Sequence, residues 1–155
     1  MRVGLISDTH GLLRPEALDF LAGCDHIIHG GDIGGPDILD RLAALAPLTV
    51  VRGNNDTAAW TRAIPETARI DLDGVGIYVI HDLKALDIHP RDPRAHGVRV
   101  VVSGHSHRPA SSERAGTLYV NPGSAGRRRF SLPIAAGELH IEGGRVDARL
   151  VTLLA

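Results

Sequence analysis

The chain has 155 residues, 43% of them hydrophobic and 23% charged, with a formal net charge of -1. That is the size and balance of one globular domain; it excludes a disordered or collagen-like chain and gives no overall basic field to hold nucleic acid or a membrane surface. A single cysteine, Cys24, excludes an intrachain disulfide and a cysteine-based zinc finger, and no apolar run reaches the ~18 residues of a membrane span.

The chain enters an apolar strand within two residues of Met1, without a leader and cleavage site, so a cytoplasmic location is expected. Val3–Ser7 reads as a strand running into Asp8-Thr9-His10. Pro15 starts a predicted helix, with Ala17, Leu18 and Leu21 on one face and Gly23 as its stop. His26–His29 is a second strand, leading into Gly30-Gly31-Asp32. Pro36 starts a second helix, with Ile38, Leu39, Leu42 and Leu45 at helical spacing and Pro47 beyond. Leu48–Arg52 is a third strand, ending in Gly53-Asn54-Asn55-Asp56. This alternation predicts parallel strands joined by right-handed crossovers. Further on, Arg69–Leu72, the turn Asp73-Gly74 and Val75–Ile80 read as a hairpin that runs into His81-Asp82. Val98–Val102 leads into Ser103-Gly104-His105-Ser106-His107, and Thr117–Val120 into Asn121-Pro122-Gly123-Ser124. Glu138–Ile141, Gly143-Gly144 and Val146–Val151 read as a second hairpin. The first half is therefore expected to be parallel α/β and the second mostly antiparallel, in a single domain over 1–155.

The apolar runs share one feature: they end in polar, metal-competent residues. In open α/β sheets, sites lie beyond the carboxyl ends of the strands, and neighbouring strands are only ~4.8 Å apart. Asp8, His10, Asp32, Asn54, His81, His105 and His107 can thus meet in one pocket. Taken alone, each reads as a satisfied polar residue at a strand end. Together, carboxylates, imidazoles and an amide are the ligand set of a divalent transition metal. Seven donors exceed one four-coordinate ion and suit two ions sharing a carboxylate. Gly31, Gly53 and Gly104 each directly precede a ligand, where a side chain would crowd the ions.

Asp8-Thr9-His10, Gly31-Asp32, Gly53-Asn54-Asn55-Asp56, His81 and Gly104-His105-Ser106-His107, in that order, resemble the five blocks of the calcineurin-like metallophosphoesterases. The short length and Asn121-Pro122-Gly123-Ser124 resemble their small, capless bacterial and archaeal phosphodiesterases. The resemblance implies a four-layer α/β/β/α sandwich of two mixed β-sheets with a dinuclear centre at its edge. One ion would take Asp8, His10, Asp32 and His107, and the other Asp32, Asn54, His81 and His105, with Asp32 bridging. Manganese is the expected metal, with nickel, iron or zinc as alternatives. Asp32, Asn54 and His105 would position a bridging hydroxide and the phosphate. Two divalent ions, less two aspartates and a hydroxide, leave about one positive charge to attract a phosphate for in-line displacement.

Two positions depart from the family pattern. The proton-donating His that follows the Asn ligand in many relatives is here Asn55, which cannot act as a general acid. Asp56, which orients that His in relatives, keeps a structural role. His81 is followed by Asp82-Leu83, and Asp82 is a candidate general acid. Asn55, Asn121, Ser124 and Arg128 are candidate substrate contacts, although Asn-Pro-Gly is also a strong turn former and Arg127-Arg128-Arg129 also reads as a solvated face. His26 and His29 read as ordinary core or surface residues, with a place behind Asp32 as the alternative for His29; His89, His96 and His140 read as surface residues, Trp60 as core and Cys24 as inert. The expected activity is hydrolysis of small phosphodiesters, nucleotides among them, without a membrane or stable nucleic-acid partner. A phosphomonoesterase and a non-catalytic interaction scaffold of the same fold are the alternatives.

Overall fold

Strand-forming runs dominate the chain, and they assemble into two sheets of five. The computed structural model describes residues 1–86 and 93–155; His89 lies outside them. The first sheet contains β1 (Arg2–Ile6), β2 (His26–His29), β3 (Leu48–Val50), β9 (Ile134–Glu142) and β10 (Arg145–Leu154), in the order β10-β9-β1-β2-β3. The second contains β4 (Thr67–Leu72), β5 (Val75–Ile80), β6 (Val100–Val102), β7 (Ala110–Arg114) and β8 (Thr117–Asn121), in the order β4-β5-β6-β8-β7.

The helices α1 (Pro15–Leu21) and α2 (Pro36–Ala43) each begin with proline, whose fixed φ and missing N–H suit the first turn. They carry the chain from β1 to β2 and from β2 to β3, and these strands pair in parallel as expected. The two hairpins form at their predicted turns: β4 pairs antiparallel with β5 and β9 with β10. Asp73 and Gly74 take φ of 50° and 84°, which a tight hairpin turn requires.

Beyond residue 65 most strand pairings are antiparallel, as expected, with an exception inside the second sheet. β5, β6 and β8 run parallel, and only the outer strands β4 and β7 are antiparallel to their neighbours. For the β6–β8 pair the reason lies in β7. Its five residues, Ala-Ser-Ser-Glu-Arg, are all exposed and carry no apolar alternation, so the strand that returns the chain for β8 leaves no periodic signal.

Alternation along the inner strands divides the core. Val3, Leu5, Ile28, Leu139 and Ile141 face Val75, Ile77, Val79, Val100, Val102 and Val120 across the sandwich. Ile6 and Ile27 point the other way, onto Ala17, Leu21, Ile38 and Leu42 of the helices. Outside the second sheet, Ile80, Val98 and Val101 are covered by Tyr78, Leu83, Leu86 and Tyr119. Among the described residues this fourth layer is built from short 3-10 turns, Leu83–Ala85 and Pro93–His96, rather than α-helices. The parallel strands of both sheets deliver their carboxyl ends to one edge of the sandwich.

Candidate metal centre

Irregular backbone pairing continues past the strand ends and ties the loops together. Asp8 N–H donates to Gly31 O (3.0 Å), His10 N–H to Asp32 O (2.9 Å) and Gly104 N–H to His81 O (2.9 Å). The loops are strained. Asp8, His10, Asp32, His105 and His107 have φ of 54°, 45°, 57°, 72° and 62°, the left-handed region that costs a non-glycine residue ~1 kcal/mol. Among the other described non-glycine residues only Asp73, Ala115 and Phe130 adopt it, so the strain is concentrated where the candidate ligands are. Two glycines are forced by close approach. A Cβ on Gly53 would overlap the Asp32 carboxylate, and one on Gly104 would overlap the Ser7 hydroxyl and lie 2.8 Å from Asp8 Oδ2.

The seven sequence-selected donors converge. Asp8 Oδ1 lies 3.5 Å from His107 Nε2, 3.9 Å from His10 Nε2 and 4.0 Å from His81 Nε2. Asp32 Oδ2 lies 3.5 Å from His10 Nε2 and 3.3 Å from His81 Nε2. Asn54 Oδ1 stands 3.0 Å from His81 Nε2 and 3.1 Å from His105 Nδ1. The ligand atoms of Asp8, His10 and His107, and those of Asp8, Asp32 and His81, each fall within 4.8 Å of one another. These two groups share Asp8, yet Asp32 Oδ2 also faces both sides.

The donors fit cations on two counts. Asp8 is fully buried; its Oδ2 accepts from Ser7 Oγ (2.8 Å) and from His105 N–H (3.1 Å), while Oδ1, aimed at the imidazoles, has no hydrogen-bond partner. An unsatisfied buried carboxylate oxygen is costly without a charge to face. His81 Nδ1–H donates to Gly30 O at 2.7 Å, which leaves the neutral ring a lone pair at Nε2, pointing at oxygens of Asp32 and Asn54. Lone pairs opposed in this way are what a bound cation resolves.

With no cation, a proton on His81 Nε2 satisfies the facing oxygens instead, and this contributes to the pKa directions of Asp32 and His81. Burial pushes the Asp8 carboxyl up to about 6, although His81 and the Ser7 hydrogen bond pull it down. Asp32 is buried too, but hydrogen bonds from His81 and Asn55 outweigh burial and hold it well below the usual carboxylate range. Burial, with the charges of His10 and Arg129, holds His107 down at about 4, in the neutral form that ligates metal. For His81, burial opposes protonation but Asp32 and Asp8 outweigh it and raise its pKa.

The residues behind the donors explain the loop geometry: Asp56 has the structural role expected of it, and His29 takes the place that sequence reading gave only as its alternative. Asp56 is buried and accepts backbone N–H groups from Asp32 (2.9 Å), Ile33 (2.9 Å) and Gly53 (2.8 Å), clamping the Asp32 loop to the Asn54 loop. His29, for which a place behind Asp32 is the alternative to an ordinary core or surface histidine, is fully buried behind the site. Its Nδ1 accepts from Gly31 N–H (3.0 Å), so Nε2–H donates to Thr9 Oγ1 (3.0 Å), whose hydroxyl donates to Ile33 O (2.7 Å). Burial holds this ring at about 3, hence neutral. The signal for both was position alone: each lies within three residues of a ligand.

The candidate substrate contacts divide. Asn55 stays at the site, its Nδ2 donating to Asp32 Oδ2 at 3.1 Å. Asn121 is committed to the scaffold: Nδ2 donates to Gly104 O (2.8 Å) and Ser106 Oγ (3.0 Å), and Oδ1 accepts from Gly123 N–H (2.9 Å). Ser124 Oγ donates to Asp8 O (3.0 Å). The Arg128 guanidinium turns away, donating to Leu132 O and Ala155 O. Its neighbours are closer: Arg127 Nε donates to His10 O at 3.4 Å, and the charge of Arg129 acts on His107. Asp82 Oδ1 caps a 3-10 turn through Lys84 N–H, and Oδ2 is 3.9 Å from His105 Nε2. Away from the site, His26 bonds Thr49, His96 is exposed and His140 bonds Glu138. Trp60 packs against the helix-side core, and Cys24 is a buried free thiol.

A sandwich of two mixed sheets, with carboxylates, imidazoles and an amide gathered at one edge, is the build of a metal-dependent phosphoesterase. The sequence profile of the calcineurin-like phosphoesterase superfamily domain matches residues 1–144, and the chain belongs to that superfamily. It is 32% identical over 164 residues to a probable metallophosphoesterase of Methanothermobacter thermautotrophicus, covering 97% of this chain and 92% of that one. Two solved structures share the fold. An archaeal phosphodiesterase has a TM-score of 0.74 at 21% identity, covering 97% of this chain and 100% of the other. Vps29 of Entamoeba histolytica complexed with zinc has a TM-score of 0.74 at 24% identity, covering 99% of each chain.

Proposed function

We propose that the chain is a phosphodiesterase working with two divalent transition-metal ions, manganese first among the candidates. One ion is assigned to Asp8, His10, Asp32 and His107, the other to Asp32, Asn54, His81 and His105. The observation that carries the reading is the buried, partnerless Asp8 Oδ1 facing three imidazole nitrogens within 4.0 Å. Such ions supply Lewis acidity toward a phosphoryl oxygen and an acidified water. Asp8 and Asp32 neutralise only part of the cationic charge, and the imidazoles and Asn54 none of it, so the pocket favours an anion. Asn55, exposed at the rim with one Nδ2 hydrogen donated to Asp32 Oδ2, has its second amide hydrogen left for a phosphoryl oxygen but cannot protonate a leaving alcohol. A scaffold of this fold has no need of all seven donors, which favours the enzyme.

Metal analysis of protein purified without chelator is expected to find two ions per chain. Asp32→Ala and His105→Ala should each lower hydrolysis of bis(p-nitrophenyl) phosphate by at least ~100-fold while circular dichroism stays unchanged. Full activity in both variants overturns the reading. Across a series of diesters, the rate should climb as the leaving alcohol becomes more acidic; a flat dependence with chemistry limiting would assign the proton to another residue.

A further inference from the structure

A cleft of about 630 Å³ opens beside His105, within the ~300–1,000 Å³ of small-molecule sites. Its near end is the Gly104-His105-Ser106 loop, one wall is the Asp82–Leu86 turn and the other is the β7–β8 pair. The β7–β8 ladder sets a ruler along that wall. Ala110 pairs with Asn121, which is bonded to the His105 loop, and Ser112 pairs with Tyr119. At ~3.4 Å per residue, Tyr119 stands ~7 Å farther from the site than Asn121. Arg114 follows Ser112 on the same face, and its guanidinium lies 4.1 Å from the Tyr119 ring centroid, a cation–π contact that holds it in place. Leu83, Leu86 and Tyr119 supply apolar lining.

The charges in the cleft are unequal. Lys84, the chain's one lysine, and Arg114 both line it, and among the described residues neither belongs to an ion pair. The lining carboxylate, Asp82, is at the His105 end with Oδ1 already accepting from Lys84 N–H. A ligand is therefore offered an anion site at the metal centre, an apolar and aromatic middle, Arg114 held over Tyr119 farther along the wall, and Lys84 on the facing turn.

Resting on the phosphodiesterase reading, we infer that this cleft binds a nucleoside substituent of the diester that itself carries a further phosphate. The base lies against Leu83, Leu86 and Tyr119, and the distal phosphate pairs with Arg114 and Lys84. The substrate class is thus a short linear nucleotide diester with a terminal phosphate. A cyclic mononucleotide, whose one phosphate is spent at the metal centre, leaves both cations unpaired.

The test is calorimetric binding to manganese-loaded protein of a dinucleotide with a non-hydrolysable methylene-phosphonate linkage. It is measured without a terminal phosphate, and with one at the 5′ or the 3′ end. At least one terminal phosphate should tighten binding to the wild type by about tenfold, as charge-assisted hydrogen bonds do. That advantage should collapse in an Arg114→Gln/Lys84→Gln double variant. The comparison is a ratio within one protein, so incomplete folding of the variant cancels. Equal affinities for all three ligands in the wild type, or an undiminished ratio in the double variant, overturns the assignment. Hydrolysis of bis(p-nitrophenyl) phosphate by the wild type reports separately on the reaction. Activity without the binding preference sinks the cleft alone, and the preference without activity sinks the reaction alone.

Discussion

Asp56 shows how one side chain can hold a site it never enters. Its two oxygens take three backbone N–H groups from two loops, so the Asp32 and Asn54 turns are fixed relative to each other by a single carboxylate. Asp56→Asn keeps the size but replaces one acceptor with a donor, opposing at least one buried N–H. The expected cost is ~2 kcal/mol, read as a lower urea midpoint, together with weaker manganese binding in a titration. A stability loss with unchanged metal affinity would limit Asp56 to a folding role. The residue in the place of the family's proton donor follows the same logic: the Asn55 amide braces Asp32 instead.

At the scale of elements, the loops after β1, β2, β3, β5 and β6 carry the chemistry, and the strands hold them at strand spacing. Left-handed φ at five candidate ligands is tolerated because neighbouring loops over-determine the backbone. The Asn121-Pro122-Gly123 turn after β8 belongs to this support, since its asparagine grips the loop that carries His105 and His107. Asn121→Ala removes both grips without touching a donor atom. Stability should fall by ~1–2 kcal/mol, and metal content and diester hydrolysis should fall with it. Wild-type metal content in that variant would show that the histidine loop holds its shape alone.

Across the whole molecule, the sheet face beside the helices carries a buried carboxylate. Glu138 on β9 is 2% exposed and bonds Arg2 (2.6 Å), Arg149 (2.7 Å) and His140 (2.8 Å). Arg2 reaches on to Phe20 O and Ala22 O, so this cluster joins β9, β10, β1 and the end of α1. Burial pushes the Glu138 carboxyl up, but the hydrogen bonds from His140, Arg2 and Arg149 outweigh it and hold the pKa at about 2 instead of 4.5. A carboxyl more acidic folded than unfolded stabilises the fold at pH above its unfolded pKa. That contribution fades as pH falls from about 4.5 to about 2. Glu138→Gln should flatten this part of the urea-stability profile between pH 5 and about 2. An acid limb equally steep in the variant would place the titrating group elsewhere.

What the sequence by itself determined was local: short apolar runs, proline-started helices, Asp-Gly and Gly-Gly turns, and donors at strand ends. Those signals reside in neighbouring residues, so the parallel β1–β3 unit, both hairpins and the seven donors were legible. Tertiary structure alone decided matters that depend on pairing across the chain. The exposed β7 returns the chain so that β6 and β8 run parallel, and no periodicity records it. Nor does spacing reveal that Asp56 clamps two loops, that His29 links Thr9 to Gly31, or that Arg128 turns from the site while Arg127 stays. A side chain's partner is set by distance in space, and that distance exists only once the two sheets have closed on their shared core.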